Sequence, residues 1–311
     1  MKHSSMLITL WALIACLAVI ARAQDHQLVL AAGDIYPMEK RLVLSGEDKL
    51  LIVDPNESDT ANLKIVWQWT LADSRRTMPA NIYKYFVSMD EAVPVQKNQE
   101  LLCCSSSGGT ALIRISSKTC QFYAATPMAH SACLLPGNKI AVALSTHKAG
   151  NAIEIYDINY SNQCLYRDSL YFAHGVVWMS TEKRLYALGY DSIRQYRLEG
   201  DSTMTPKLVR TGSWVLPGTG GHNLSYVDDH TLLVTYIRNV RLFDTKTHTF
   251  STFAPLQGQT NVKSANYDPT TRHLIYTQAE TGFWTTHIRS VHPDWYLTVP
   301  DLKLYKVRVF E

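Results

Sequence analysis

Five ionisable side chains recur at one position of a repeating pattern. Glu91, His130, His174, His222 and Lys263 each stand four residues before a bulky apolar residue, namely Val95, Leu134, Trp178, Tyr226 and Tyr267. Side chains on a strand alternate with period two, so positions four apart face the same way. An imidazole titrates near neutrality and can take or give a proton there. Brought together, these groups are the parts of an acid–base site for β-elimination or hydrolysis of an acidic glycan, and they form the predicted catalytic set. Lys263 would neutralise a uronate carboxylate, a histidine would move the first proton, and Glu91 would move the second or accept sugar hydroxyls.

The same histidines offer an alternative chemistry. His130, His174 and His222 could bind one divalent cation with Glu91 as fourth ligand, since three imidazoles and an open position make a catalytic zinc pattern. A nearby Lys263 ammonium would repel the metal, so metal-free chemistry ranks first. Asp90, Asn223, Trp284 and His287 are the predicted ligand-binding neighbours, with Trp284 placed to stack on a sugar face. A plainer reading stands beside these: a histidine at a strand start often makes one hydrogen bond to a loop carbonyl and nothing more. Glu91 and Lys263 at the same repeat position weaken it, because neither reproduces the donor and acceptor roles of imidazole.

The elements that would position these groups are short strands. Apolar runs begin at Leu42, Leu101, Ile140, Leu185, Leu232 and Leu274, separated by 59, 39, 45, 47 and 42 residues. All but the first interval suit a four-stranded propeller blade. A second strand follows each run, at Lys49 to Val53, Ala111 to Ile115, Ala152 to Tyr156, Ser192 to Leu198, Val240 to Phe243 and Thr286 to Val291. Three of these end at Asp54, Asp157 and Asp244, whose carboxylates suit tight turns. A third strand comes next in each unit, and Leu304 to Phe310 supplies it in the last. The expected fold is an all-β propeller of six blades, with seven as the alternative, and the innermost strands carry the ionisable ring. The first unit breaks the pattern, since the aligned position there is Ala32.

Inside the long first interval, Ala72, Arg75, Met78, Ile82 and Phe86 recur at spacings of three and four, which predicts a short helical insertion around 72–86. No Pro- or Gly-rich linker divides the chain, so residues 24–311 read as one propeller domain. The formal charge of +3 falls to +1 once residues 1–23, with Lys2 and Arg22, are removed. A balance so near zero gives no reason to expect nucleic acid or an anionic membrane as partner.

Residues 1–23 read as a signal peptide, with Lys2 as basic head, an apolar run from Met6 to Ala21 and an Ala21-Arg22-Ala23 cleavage site. The run is shorter than the roughly 20 residues that span a bilayer, so no transmembrane span is expected. Leu13-Ile14-Ala15-Cys16 offers a bacterial lipobox as an alternative, with lipidation of Cys16 as a membrane anchor. Either way the protein is expected to be exported, periplasmic or extracellular. Cys103, Cys104, Cys120, Cys133 and Cys164 contain no C-x-x-C pair and suggest neither a disulfide framework nor a thiolate zinc site. Ser105 to Gly109 lacks the Lys-Ser/Thr of a phosphate loop and reads as a hairpin turn. Gly218 to Gly221 enters no helix and reads as a crossover between blades.

Ala129-His130-Ser131-Ala132, Ser105 to Gly109, His174-Gly175-Val176-Val177-Trp178, Gly221-His222-Asn223-Leu224-Ser225, Val262-Lys263-Ser264 and Leu304-Tyr305-Lys306-Val307-Arg308 resemble an uncharacterised family of exported bacterial β-propeller proteins, carried as a domain of unknown function. The resemblance covers nearly all of the mature chain. It implies a propeller and bacterial export, and it supplies no activity. A looser likeness, of architecture and clustered histidines alone, is to propeller polysaccharide lyases such as oligogalacturonate lyase. Those enzymes hold a divalent metal with histidines and a glutamine, a set with no residue-by-residue match here. A carbohydrate is the expected ligand, and a non-catalytic glycan- or protein-binding propeller is the competing reading.

Overall fold

The spaced apolar runs become the middle strands of six four-stranded antiparallel sheets. The computed structural model describes residues 40–60 and 62–310. The expected signal peptide and Cys16 lie outside them. Among the described residues no helix is long and apolar enough to cross a membrane.

From the axis outward, blade two is built from Met89–Val95, Glu100–Ser105, Gly109–Arg114 and Cys120–Ala125. Blade three follows with Ala129–Leu135, Lys139–Leu144, Ala152–Asp157 and Cys164–Ser169. Blades four, five and six repeat the order, with innermost strands Gly175–Met179, Gly221–Asp228 and Val262–Tyr267. Blade one is assembled from both ends of the described chain: Leu304–Val309 pairs antiparallel with Leu42–Gly46, followed outward by Lys49–Val53 and Ile65–Thr70.

Blade one corrects the sequence reading. Leu304 to Phe310 is not the outer strand of the last unit; it is the innermost strand of the first, and Trp295–Thr298 takes the outer place in blade six. The break at Ala32 has the same cause, because the ring position of blade one is supplied from the C-terminal end of the chain. Pairing the first strand with the last removes the free edge a six-blade ring would otherwise expose.

Apolar side chains on the sheet faces pack between blades. Leu42, Leu44, Leu304 and Val307 of blade one meet Ile275 and Ile288 of blade six in one buried cluster. Ile155, Ala141 and Val176 similarly join blades three and four. Each wholly buried aliphatic side chain contributes about 1.5–3 kcal/mol relative to exposure. The turn aspartates behave as expected: Asp54 accepts from the Asn56 N–H at 3.0 Å, Asp157 from that of Asn159 at 2.8 Å and Asp244 from that of Thr247 at 2.7 Å.

The insertion before blade two is not a helix over 72–86. It consists of turns and a short 3-10 helix, Ala80–Tyr85. Pro79 immediately precedes that helix and has no N–H to donate, which stops an α-helix from running through it. The apolar spacing still marks burial, since Met78, Ile82 and Phe86 are all in the core. Ser105 to Gly109 is the hairpin turn of blade two, and Gly218 to Gly221 is the crossover into blade five.

Candidate functional site

The site begins with a repeated irregularity at the start of the innermost strands. In blades two, three, five and six the pairing slips by one residue there, between Met89 and Glu91, Ala129 and Ser131, Gly221 and Asn223, and Val262 and Ser264. Each slip is a bulge that leaves one residue outside the ladder and re-aims its side chain. The residues so placed are Asp90, His130, His222 and Lys263. In blade four His174 stands just before Gly175–Met179, and in blade one Tyr305 and Lys306 together face Ser45.

Two tiers follow from this register. The upper ring is Asp90, His130, His174, His222, Lys263 and Tyr305; the lower is Glu91, Ser131, Gly175, Asn223, Ser264 and Lys306. Counting back from Val95 had put Glu91 in the upper ring. Hydrogen-bond pairing puts Asp90 there and Glu91 one step deeper, opposite Cys104.

Five of the six upper-ring residues form a continuous circuit, while the Asp90 carboxylate accepts from the Ser106 N–H. The rings of His130 and His174 are 4.2 Å apart, those of His174 and His222 are 5.4 Å apart, and Lys263 Nζ lies 3.0 Å from His222 Nε2. Lys263 Nζ is 5.7 Å from the Tyr305 ring centre, and the Tyr305 and His130 rings are 5.7 Å apart. His130 Nδ1 lies 3.0 Å from the carbonyl oxygen of Met128, and His174 Nδ1 lies 3.1 Å from that of Phe172. A carbonyl only accepts, so Nδ1 carries the proton in both, and each Nε2 keeps its lone pair. The Lys263 ammonium donates to His222 Nε2, which fixes the same tautomer, and the buried His222 Nδ1 has no hydrogen-bond partner among the described residues.

Burial governs the ring's protonation. It pushes His130 down to about 4 and His222 to about 2, and Lys263 beside His222 lowers the latter further. His174 is held well below its ordinary value by burial and by the two flanking imidazoles. Burial also drops Lys263 to about 8 and lifts Asp90 to about 7, the Asp90 shift opposed by the Ser106 N–H that donates to its carboxylate. Three neutral imidazoles, a carboxyl near its midpoint and an amine near its own therefore sit in one ring. The ring is closed in: His130, its most exposed histidine, is 6% accessible, and Phe172 stacks on His174 at 4.0 Å.

The divalent-cation alternative finds no donor set. Among the described residues no group of three or more His, Cys, Asp or Glu side chains is arranged to hold a metal ion. The lone pair that His222 would offer is already taken by the Lys263 ammonium.

The lower tier crosses the axis. Lys306, fully buried, donates to the carbonyl oxygens of His130 at 2.9 Å and His174 at 3.3 Å and approaches Glu91 Oε1 at 3.4 Å. Only small side chains leave room for it, and Gly175, Ser131 and Ser264 are the tier's members in blades four, three and six. At Gly175 even a Cβ would come within 2.7 Å of Leu224 Cβ. Arg308, two residues on, donates to Glu91 Oε1 and, at 2.6 Å, to Asn223 Oδ1. Burial alone would raise the Glu91 carboxyl, but Arg308 and Lys306 outweigh it and hold it below its ordinary value. The Ser131 hydroxyl beside Glu91 acts in the same direction.

Beneath this plug the channel opens into a cavity of about 400 Å³. Glu91, Arg308, Ser131, Ser225 and Asn266 are among its polar groups, and Val95, Leu134, Trp178 and Tyr226, the apolar residues of the repeat, line it too. Of the predicted residues, then, the structure gathers Asp90, His130, His174, His222 and Lys263 above the plug and Glu91 and Asn223 within it. Trp284 joins the upper group by its edge contact with Tyr305 at 5.6 Å. His287 stands apart, paired with Glu280 at 2.7 Å and stacked on Tyr296.

Sequence reasoning missed Tyr305, Lys306 and Arg308. Their signal was a first unit lacking an inner strand and a last unit ending in a strand with alternating Lys306 and Arg308.

The chain belongs to the family of unknown function DUF6528. It matches that family over residues 1–310. No curated protein matches the chain. The family description carries no activity, so chemistry must be argued from the two tiers and the cavity. None of these comparisons ties this DUF6528 member to the propeller polysaccharide lyases.

Proposed function

We propose that this protein is an exported glycan-binding propeller whose ligand, an acidic sugar, occupies the axial cavity beneath the Lys306–Glu91–Arg308 plug. The observation that carries the reading is the combination at that cavity of the aromatic side chains Trp178 and Tyr226 with the buried Arg308 guanidinium and the buried Glu91 carboxylate. Hydroxyls of a bound sugar would donate to that carboxylate beside Ser131. Lys306 and Arg308 outnumber Glu91 in the plug, so it carries a net positive charge that complements a uronate carboxylate. An apolar wall with a few convergent polar groups, in a cavity of this size, is the usual make-up of a small-ligand site. Export follows from the leader-like residues 1–23.

Calorimetric titration with a panel of acidic and neutral oligosaccharides tests the reading. Binding of uronates that weakens in Trp178→Ala supports it; absence of binding by every acidic sugar overturns it.

A second reading, catalysis by the upper ring, is favoured by one observation: Lys263 Nζ lies 3.0 Å from His222 Nε2, and the His174 and His130 rings continue from it with Nδ1 on backbone carbonyls. Asp90 would then serve as acid and an imidazole as base on an acidic glycan. Product release from such a glycan that disappears in His174→Ala/His222→Ala would establish it.

A further inference from the structure

A second cavity, of about 560 Å³, adjoins the first and shares Tyr226, Asn266 and Val309 with it. It lies where blades five, six and one meet, and Tyr267, the fifth apolar residue of the repeat, lines it. Building on the glycan-binding reading, we infer that the site takes a linear acidic oligosaccharide, with one sugar in the axial cavity and the next residues in this second cavity.

Three features support a polymer running from axis to edge. Tyr226 stands on the divide with 44% of its surface exposed, so its ring is a platform reachable from either side. Asn266, which lines both cavities, is held by donation to the carbonyls of Ile275 and Val307 at 3.2 and 3.0 Å, so this shared polar side chain is fixed in place. The second cavity is also furnished for hydroxyls and a carboxylate: Lys40, Asp268, His273 and His292 all line it. Burial, and then the charge of Lys40, lower His273, so the lysine at the rim acts on this lining histidine. Each cavity alone falls within the range of about 300–1,000 Å³ typical of ligand sites, and a single monosaccharide cannot fill both.

The test is a chain-length series of uronate mono-, di- and tetrasaccharides titrated calorimetrically into the full protein and into Thr271→Trp and Lys40→Glu. Thr271 is an exposed lining residue, so the indole obstructs the second cavity at the surface of the fold. The tetrasaccharide is expected to bind about tenfold tighter than the monosaccharide, equivalent to about 1.4 kcal/mol. Thr271→Trp is expected to abolish that advantage and Lys40→Glu to reduce it, with monosaccharide affinity within about twofold of the parent, a shift well below 1 kcal/mol. Equal affinity at every length, or an advantage that survives Thr271→Trp, overturns the second subsite while the axial site stands. No binding at any length overturns both.

Discussion

Lys306 Nζ, on the innermost strand of blade one, donates to the carbonyl oxygen of His130 in blade three at 2.9 Å. The bulge that turns His130 into the upper ring also takes that residue out of the ladder, and the lysine that bridges the axis satisfies its carbonyl. Ring geometry and plug are thus one construction: the same backbone irregularity aims the imidazole and anchors the cation.

Replacing Lys306 with methionine is expected to destabilise the fold by about 3–5 kcal/mol, the range for removing one partner of a buried charge network. His130 and His174 would lose their carbonyl partner, and Glu91 would keep Arg308 alone. Urea denaturation measures the loss; a change below 1 kcal/mol would show that the plug contributes little.

Tyr226→Ala tests the cavity with little effect on the fold, because the residue lies at the surface with 44% of its area exposed. Affinity for an acidic oligosaccharide is expected to fall about tenfold, near the upper end of what an exposed aromatic contact contributes, with an unchanged urea midpoint. Arg308→Lys is expected to weaken uronate binding at least as much, since a point charge cannot hold Glu91, Asn223 and a ligand together as a guanidinium fork does. Unaltered affinity in both variants would remove the ligand from this cavity.

Stability should decline as the medium is acidified from pH 6.5 to 5. Unfolded imidazoles take up protons below about 6.5, whereas folded His130 and His222 remain neutral down to about 4 and about 2. The unfolded state therefore binds more protons in that window, and each such group lowers stability by about 1.4 kcal/mol per pH unit. Asp90 acts oppositely, since the folded carboxyl holds its proton up to about 7 against an ordinary 3.8. Three imidazoles outweigh one carboxyl. Asp90→Asn removes the opposing contribution and should steepen the decline, read as urea midpoints against pH; a profile independent of pH would contradict the buried-neutral ring.

Thiol labelling offers an independent check on the cavity. Cys133 lines it, whereas Cys103, Cys104 and Cys120 are buried elsewhere and Cys164 is exposed. Burial pushes the Cys133 thiol well up, so in a Cys164→Ser protein beginning at Gln24 the residual alkylation expected at Cys133 is slow at neutral pH, rises with pH, and should slow when an acidic oligosaccharide is present. Labelling of Cys133 that ignores saturating sugar would separate the ligand from the cavity.

Much of this architecture is readable along the chain because each blade repeats its own local pattern. The starts at Leu101, Ile140, Leu185, Leu232 and Leu274 mark the middle strands, and Asp157 and Asp244 mark turns, since both depend on neighbours within a few residues. The three histidines and Lys263 were found by the same periodicity. Bulges have no such signature: one slipped residue exchanges the facing of Asp90 and Glu91 while leaving the apolar spacing almost intact.

The sequence alone determined a repeated β architecture of six or seven blades and aligned three imidazoles and one ammonium at one repeat position, because strand period and blade spacing are local properties; the sheets settle the count at six. Tertiary structure decided what closes the ring and what lies under it. Tyr305, Lys306 and Arg308 reach the site only because Leu304–Val309 pairs with Leu42–Gly46 across some 260 residues of intervening chain, a consequence of sheet closure removing a free edge. The division into a buried upper ring and an open lower cavity likewise rests on one lysine spanning the axis, where contacts among four blades, and no spacing within any of them, set the outcome.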